Sequence, residues 1–137
     1  MNGFDIAKEQ LKLDEGFSGR VYQCTAGKNT IGYGRNLDNN PLSRNEAEFL
    51  LENDLKQIVG DCLKLKYYAH LNPERRAVIL NMVYNLGMTT FMSFEHLNKA
   101  LIRHDYAKAS IEMLSSKWAR QVPARALRLS DIMLGRT

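Results

Sequence analysis

Cysteine is scarce in this chain. There are two, Cys24 and Cys62, in no C-x-x-C motif and with no histidine at zinc-ligand spacing, so neither a disulfide framework nor a structural zinc site is expected. No apolar run approaches the roughly 20 residues that cross a bilayer, which argues against a membrane span. The first residues, Met1-Asn2-Gly3-Phe4-Asp5, carry an early acid and no basic region followed by an apolar one, so a cleavable export signal is not expected. Proline is rare as well, three in all. Two of these, Pro73 and Pro123, stand where a helix would start, and Pro41 closes a polar loop.

What is present is the composition of one globular domain: 137 residues, 45% apolar, 25% charged. The net charge of +4 is unevenly placed. Positions 1–116 balance, with 14 Lys and Arg against 14 Asp and Glu, while positions 117–137 hold five bases and one acid. A basic tail fits an anionic partner such as nucleic acid, a membrane surface or an acidic cell-wall polymer, and fits a solvated helix face almost as well.

Apolar spacing predicts a first helix through Phe4, Ala7 and Leu11, capped by Asn2 and ended by Gly16. From Arg20 to Gly34 the pattern is that of a twisted hairpin, with a possible further short strand in the polar run 36–41. Helices then dominate. Ser43-Arg44-Asn45-Glu46 is a capping box for about five turns ending near Cys62, and Asn72-Pro73 opens the next helix, which Gly87 ends. Ser93, Asp105 and Ser116 are expected to cap three short helices, and Val122-Pro123 opens a last one that stops at Gly135. The fold class is α+β and mostly α, with a ligand crevice expected between a hairpin part and a helical part.

The hairpin holds the candidate chemistry. Glu15 ends the first helix at a glycine bend, where a carboxylic acid can serve as a general acid; a surface glutamate is the bland alternative. Cys24 and Thr30 have the same parity in the hairpin and so share a side of it. A glycosidase sets an acid on the leaving oxygen against a second group that attacks the sugar or activates water. A thiolate could be that second group and a threonine hydroxyl could hold the water, although packing explains both residues too. Cys62 reads as a small buried apolar residue.

Glu15, eight residues, Cys24, five residues, Thr30, then Ile31-Gly32-Tyr33-Gly34 resembles the active-site hairpin of phage-type lysozymes, the endolysins of the T-even class. Arg75 to Gly87, "RRAVILNMVYNLG", is similar to that family's central helix, and Lys117 to Leu129, "KWARQVPARALRL", to its Arg-Trp-x-x-Gln-x-Pro-x-Arg segment. The resemblance implies a lysozyme-like two-lobed fold. A hairpin lobe with a connecting helix would span about 14–60, and a helical lobe about 1–13 and 61–137, with a cleft between.

It further implies hydrolysis of the β-1,4 bond between N-acetylmuramic acid and N-acetylglucosamine in peptidoglycan, without metal or cofactor. Glu15 would be the general acid, Thr30 the water-orienting residue, and Cys24 would stand where most members carry aspartate, with Arg20 or Lys28 favouring its thiolate. Tyr84, Asn85, Arg125 and Arg128 would bind substrate, with Trp118 expected in the core. Arg35, where histidine is usual, is expected to pair with Asp54. The implied setting is a monomer without nucleic-acid or stable membrane partners. It would be held in the host cytoplasm until a separate membrane-permeabilising holin lets it reach the wall. A catalytically weak wall-binding protein is the alternative.

Overall fold

Asn2 accepts the amide of Asp5 at 2.9 Å and so starts helix α1, Gly3–Glu15. The computed structural model describes residues 2–136. The helix ends at Gly16, whose φ of 67° lies in the left-handed region that glycine adopts without strain. Three antiparallel strands follow in order β1 (Ser18–Gln23), β2 (Asn29–Gly32) and β3 (Arg35–Asn36). The register pairs Tyr22 with Thr30 and Gln23 with Asn29, and it slips between Ser18 and Tyr22. Such a bulge bends the strand. Asp38 closes the following loop by accepting from the Asn29 amide at 3.0 Å and from its side chain at 3.3 Å.

The long helix α2, Arg44–Cys62, begins at the expected capping box: Ser43 N–H donates to Glu46 Oε1 at 2.8 Å, and Glu46 N–H to Ser43 Oγ at 3.1 Å. A 3₁₀ turn, Tyr68–His70, leads to α3, Pro73–Leu86, which Asn72 caps through the Arg75 amide. Then come α4 (Met88–Met92), α5 (Glu95–Ile102), α6 (Tyr106–Leu114), α7 (Lys117–Gln121) and α8 (Pro123–Leu134). Asp105 and Ser116 cap α6 and α7 as expected, and Gly135 stops α8. Ser93 does not cap α5. Its hydroxyl turns back to the Thr90 carbonyl at 2.5 Å and finishes α4, a one-turn helix with no cap signature in the sequence. Among the described residues no helix is long and apolar enough to cross a membrane.

The chain divides into two compact units, Met1–Phe49 and Leu50–Thr137. The apolar core belongs to the second. There α8 packs on α6, α3 and α7, and α5 on α6, around Ile79, Met82, Phe91, Leu101, Met113 and Met133. Cys62 is buried among them, and its thiol is pushed up to about 11 by burial. Trp118 is core, 1% exposed.

Asn98, Ser110 and Ser130 are polar side chains set into this core. Asn98 accepts the Tyr67 hydroxyl at 2.6 Å and donates to the carbonyls of Phe91 and Phe94 at 3.1 and 3.0 Å. Burial pushes the Tyr67 phenol well above its ordinary value, so it stays a donor. Asn98→Ala leaves the buried Tyr67 hydroxyl without a partner, whereas the Phe91 and Phe94 carbonyls keep their backbone donors, at a cost of about 1–3 kcal/mol. Chemical denaturation checks this, and a double variant with Tyr67→Phe should lose less than the sum of the two single losses.

Arg35 is the centre of the first unit. Its guanidinium makes a two-pronged pair with the Glu46 carboxylate, and also donates to the carbonyls of Asn40 at 2.9 Å and Pro41 at 2.6 Å. The expected partner, Asp54, is thus replaced by an acid two turns earlier on the same helix. The reason is local: the capping box already fixes Glu46 at the helix start, beside the loop carbonyls that gather the guanidinium. Arg35 first, and then the Ser43 amide and hydroxyl, hold the Glu46 carboxyl down from 4.5 to about 2. A folded value below the unfolded one stabilises above about 4.5, and that contribution is lost as pH falls through about 2. A carboxyl-carbon NMR titration should find Glu46 with a midpoint near 2, moving toward the ordinary value in Arg35→Ala.

Candidate active site

The end of α1 and the hairpin bring three of the expected residues into one unit. Glu15 is the last residue of α1, and a concavity of about 360 Å³ opens beside it, lined by Glu15, Gly16, Phe17, Ser18 and Tyr22. Its carboxylate lies against Gly34, where a β-carbon would run into it. Gly34 also has a φ of 73°, so two separate requirements exclude a side chain there. Phe17 packs on Tyr33 with ring centres 5.6 Å apart, bracing the bend after Glu15.

Tyr22 faces Thr30 across the ladder, and Cys24 follows directly after β1, with the Thr30 hydroxyl among the groups that act on its thiol. Tyr22, paired with Thr30 and lining the concavity beside Glu15, joins the candidate set. Its place could have been read from its spacing to Cys24. Cys24 begins a tight turn: its amide donates to the Lys28 carbonyl at 3.0 Å, and its carbonyl accepts from Gly27 at 2.8 Å. The thiol is partly exposed and held below its ordinary value, first by the Lys28 amide, then by the Ala26 amide, against a small opposing effect of burial, with a smaller contribution from the Thr30 hydroxyl. Backbone amides at the turn therefore do what the charges of Arg20 or Lys28 were expected to do.

Thr30 is only 3% exposed, and its hydroxyl donates to the Lys28 carbonyl at 2.9 Å. A hydroxyl has one proton, so it serves either that carbonyl or the sulfur at a given moment. Its lone pairs stay open to a donor such as water.

A family model described as phage lysozyme matches residues 12–128. The chain belongs to the phage lysozyme family. It is thus a glycoside hydrolase of the muramidase type, with the mostly helical α+β fold and small N-terminal sheet of T4 lysozyme. Its relatives include "Probable T4-type lysozyme 2" of Dictyostelium discoideum, 27% identical over 91% of each chain. The "Endolysin" of Acyrthosiphon pisum secondary endosymbiont phage 1 is 32% identical over 80% of this chain and 75% of its own. The "Pre-baseplate central spike protein Gp5" of Enterobacteria phage T4 is 27% identical over 92% of this chain but 27% of its own.

The other candidate residues of this phage lysozyme lie in the second unit. Tyr84 is 47% exposed and lines a concavity of about 510 Å³ with Asp54, Gln57, Asp61 and Met88. Asn85 has a use the sequence did not disclose: its Oδ1 accepts the Trp118 indole N–H at 2.9 Å, tying α3 to α7 and satisfying the buried indole. Arg125 is half-buried and Arg128 exposed, both on α8 and without an ion-pair partner among the described residues. No group of three or more His, Cys, Asp and Glu among the described residues is arranged to hold a metal ion.

Proposed function

We propose that this phage lysozyme is an endolysin that cleaves the β-1,4 bond between N-acetylmuramic acid and N-acetylglucosamine, opening the host wall for phage release. The observation that carries the reading is the seating of the Glu15 carboxylate on Gly34, in a concavity shared with Tyr22, which pairs with Thr30, whose hydroxyl in turn acts on the Cys24 thiol. In the reaction Glu15 gives its proton to the leaving glycosidic oxygen. Water attacks the anomeric carbon, and its proton passes to the Cys24 thiolate, which is the base. Thr30 accepts a hydrogen bond from that water and fixes its direction. If instead the sulfur attacks carbon directly, a glycosyl thioether forms and water must release it, so the product anomer is retained rather than inverted.

Tyr84 offers an aromatic face to sugar, and Arg125 and Arg128 offer cations to acidic wall peptides. The protein works as a monomer, held in the host cytoplasm until a holin opens the inner membrane. The alternative is a weak or inactive wall-binding protein. The burial of Thr30 and the commitment of its hydroxyl to Lys28 favour that alternative.

Purified Gram-negative peptidoglycan decides between them. The endolysin reading expects clearing with release of new reducing ends on muramic acid. Pelleting of the protein with walls that do not clear would establish the alternative.

A further inference from the structure

Two histidines outside the hydrolytic site come together in the helical unit. His70 ends the 3₁₀ turn and His104 follows α5, and their ring centres are 5.5 Å apart with planes at 86°. An imidazole nitrogen binds Zn²⁺ at about 2.0–2.1 Å, and the ring centre lies roughly 1.1 Å beyond it. Two imidazoles on one tetrahedral ion therefore have centres about 5.2 Å apart, close to the separation seen. We propose that His70 and His104 form a two-histidine site for a borderline divalent transition metal such as Zn²⁺ or Ni²⁺. Water would complete its coordination, and the site is independent of the hydrolysis.

Three further observations prepare this pair for a metal. His104 Nδ1 lies 3.3 Å from the Tyr106 hydroxyl; when that nitrogen carries the proton and donates it, Nε2 is left bare as a ligand. Tyr106 is itself held, because the Arg75 guanidinium stacks on its ring at 3.8 Å while Arg75 Nε donates to the Met133 carbonyl at 2.8 Å. His104 has a φ of 58°, the sole positive value at a non-glycine among the described residues. Glycine or asparagine is the ordinary choice for such a helix end; histidine bears strain there, and strain of this kind points to a use. Both rings line a small concavity with Lys66, Tyr67 and Ile102, and both are exposed enough to turn toward one ion. Lys66 opposes a cation electrostatically.

An ion bound by both rings would clip the 3₁₀ turn to the α5–α6 connection. The sequence holds no metal motif because the two ligands are far apart along it and meet through the tertiary fold.

Isothermal titration of the purified chain with Zn²⁺ and, separately, Ni²⁺ tests the site, with the thermal midpoint followed in parallel. One ion per chain is expected, with a raised midpoint. His70→Gln and His104→Asn should each weaken binding by about tenfold or more. Asparagine tolerates the left-handed backbone, which separates ligand loss from misfolding. Tyr106→Phe should weaken binding less, Lys66→Gln should tighten it, and His96→Gln should change nothing. The site is refuted if the wild type takes up no ion, if either of the first two variants binds as well as wild type, or if His96→Gln removes the binding.

Discussion

Glu15→Gln should abolish wall clearing while leaving the protein folded. Glutamine has nearly the shape of glutamic acid but no proton to give, so the loss should be that of a general acid, about 10²–10⁴-fold in rate. Gly34→Ala should reach a similar loss by another route. Its methyl group would occupy the space of the Glu15 carboxylate, and its backbone would be held at a φ of 73° that alanine disfavours. The two variants differ in one readout. Glu15→Gln should melt close to wild type, whereas Gly34→Ala should melt several degrees lower, since left-handed strain costs about 1 kcal/mol or more. Turbidity decrease of purified walls gives the rates and circular dichroism the melting. Full activity in Gly34→Ala would mean that the acid can work from elsewhere.

Cys24→Ala should lose activity to a similar extent, and Cys24→Asp should recover much of it. The turn amides of Lys28 and Ala26 that favour a thiolate would favour a carboxylate equally. The pH profile carries more information than the size of the loss. Wild-type activity should fall in acid as the thiol takes up its proton, and because the thiol is held below its ordinary value, that limb lies lower than for a free cysteine. In Cys24→Asp the same limb should move further toward acid, since a carboxylate titrates below a thiol. If the limb does not move between sulfur and carboxylate, residue 24 is not the group that titrates. The anomer formed in each case then tells base from nucleophile.

What could be read in the sequence was what is local. Caps at Asn2, Ser43, Asn72, Asp105 and Ser116 use a side chain and an amide within one turn, so spacing alone reveals them. The site motif is equally local, since a ribbon turns a residue interval into a shared face. Helix α4 leaves no such signal because it is a single turn that starts directly after Gly87, and Ser93 does not cap α5 because its hydroxyl bonds backward. Arg35 pairs with Glu46 rather than Asp54. A long guanidinium reaches several carboxylates, and the loop carbonyls of Asn40 and Pro41 decided among them. The tasks of Asn85 and Asn98 depend on packing between helices, which periodicity does not encode.

A thiol in the proposed catalytic role carries a vulnerability that a carboxylate lacks. Cys62 is sealed in the core, but Cys24 is partly exposed with its thiol held below its ordinary value, the combination that favours attack by peroxide. A sulfenic acid there would be neither base nor nucleophile, and a thiol reductant would restore it. A carboxylate at this position would be indifferent to such treatment, so under the proposed mechanism the activity of this chain would follow the redox state of its surroundings.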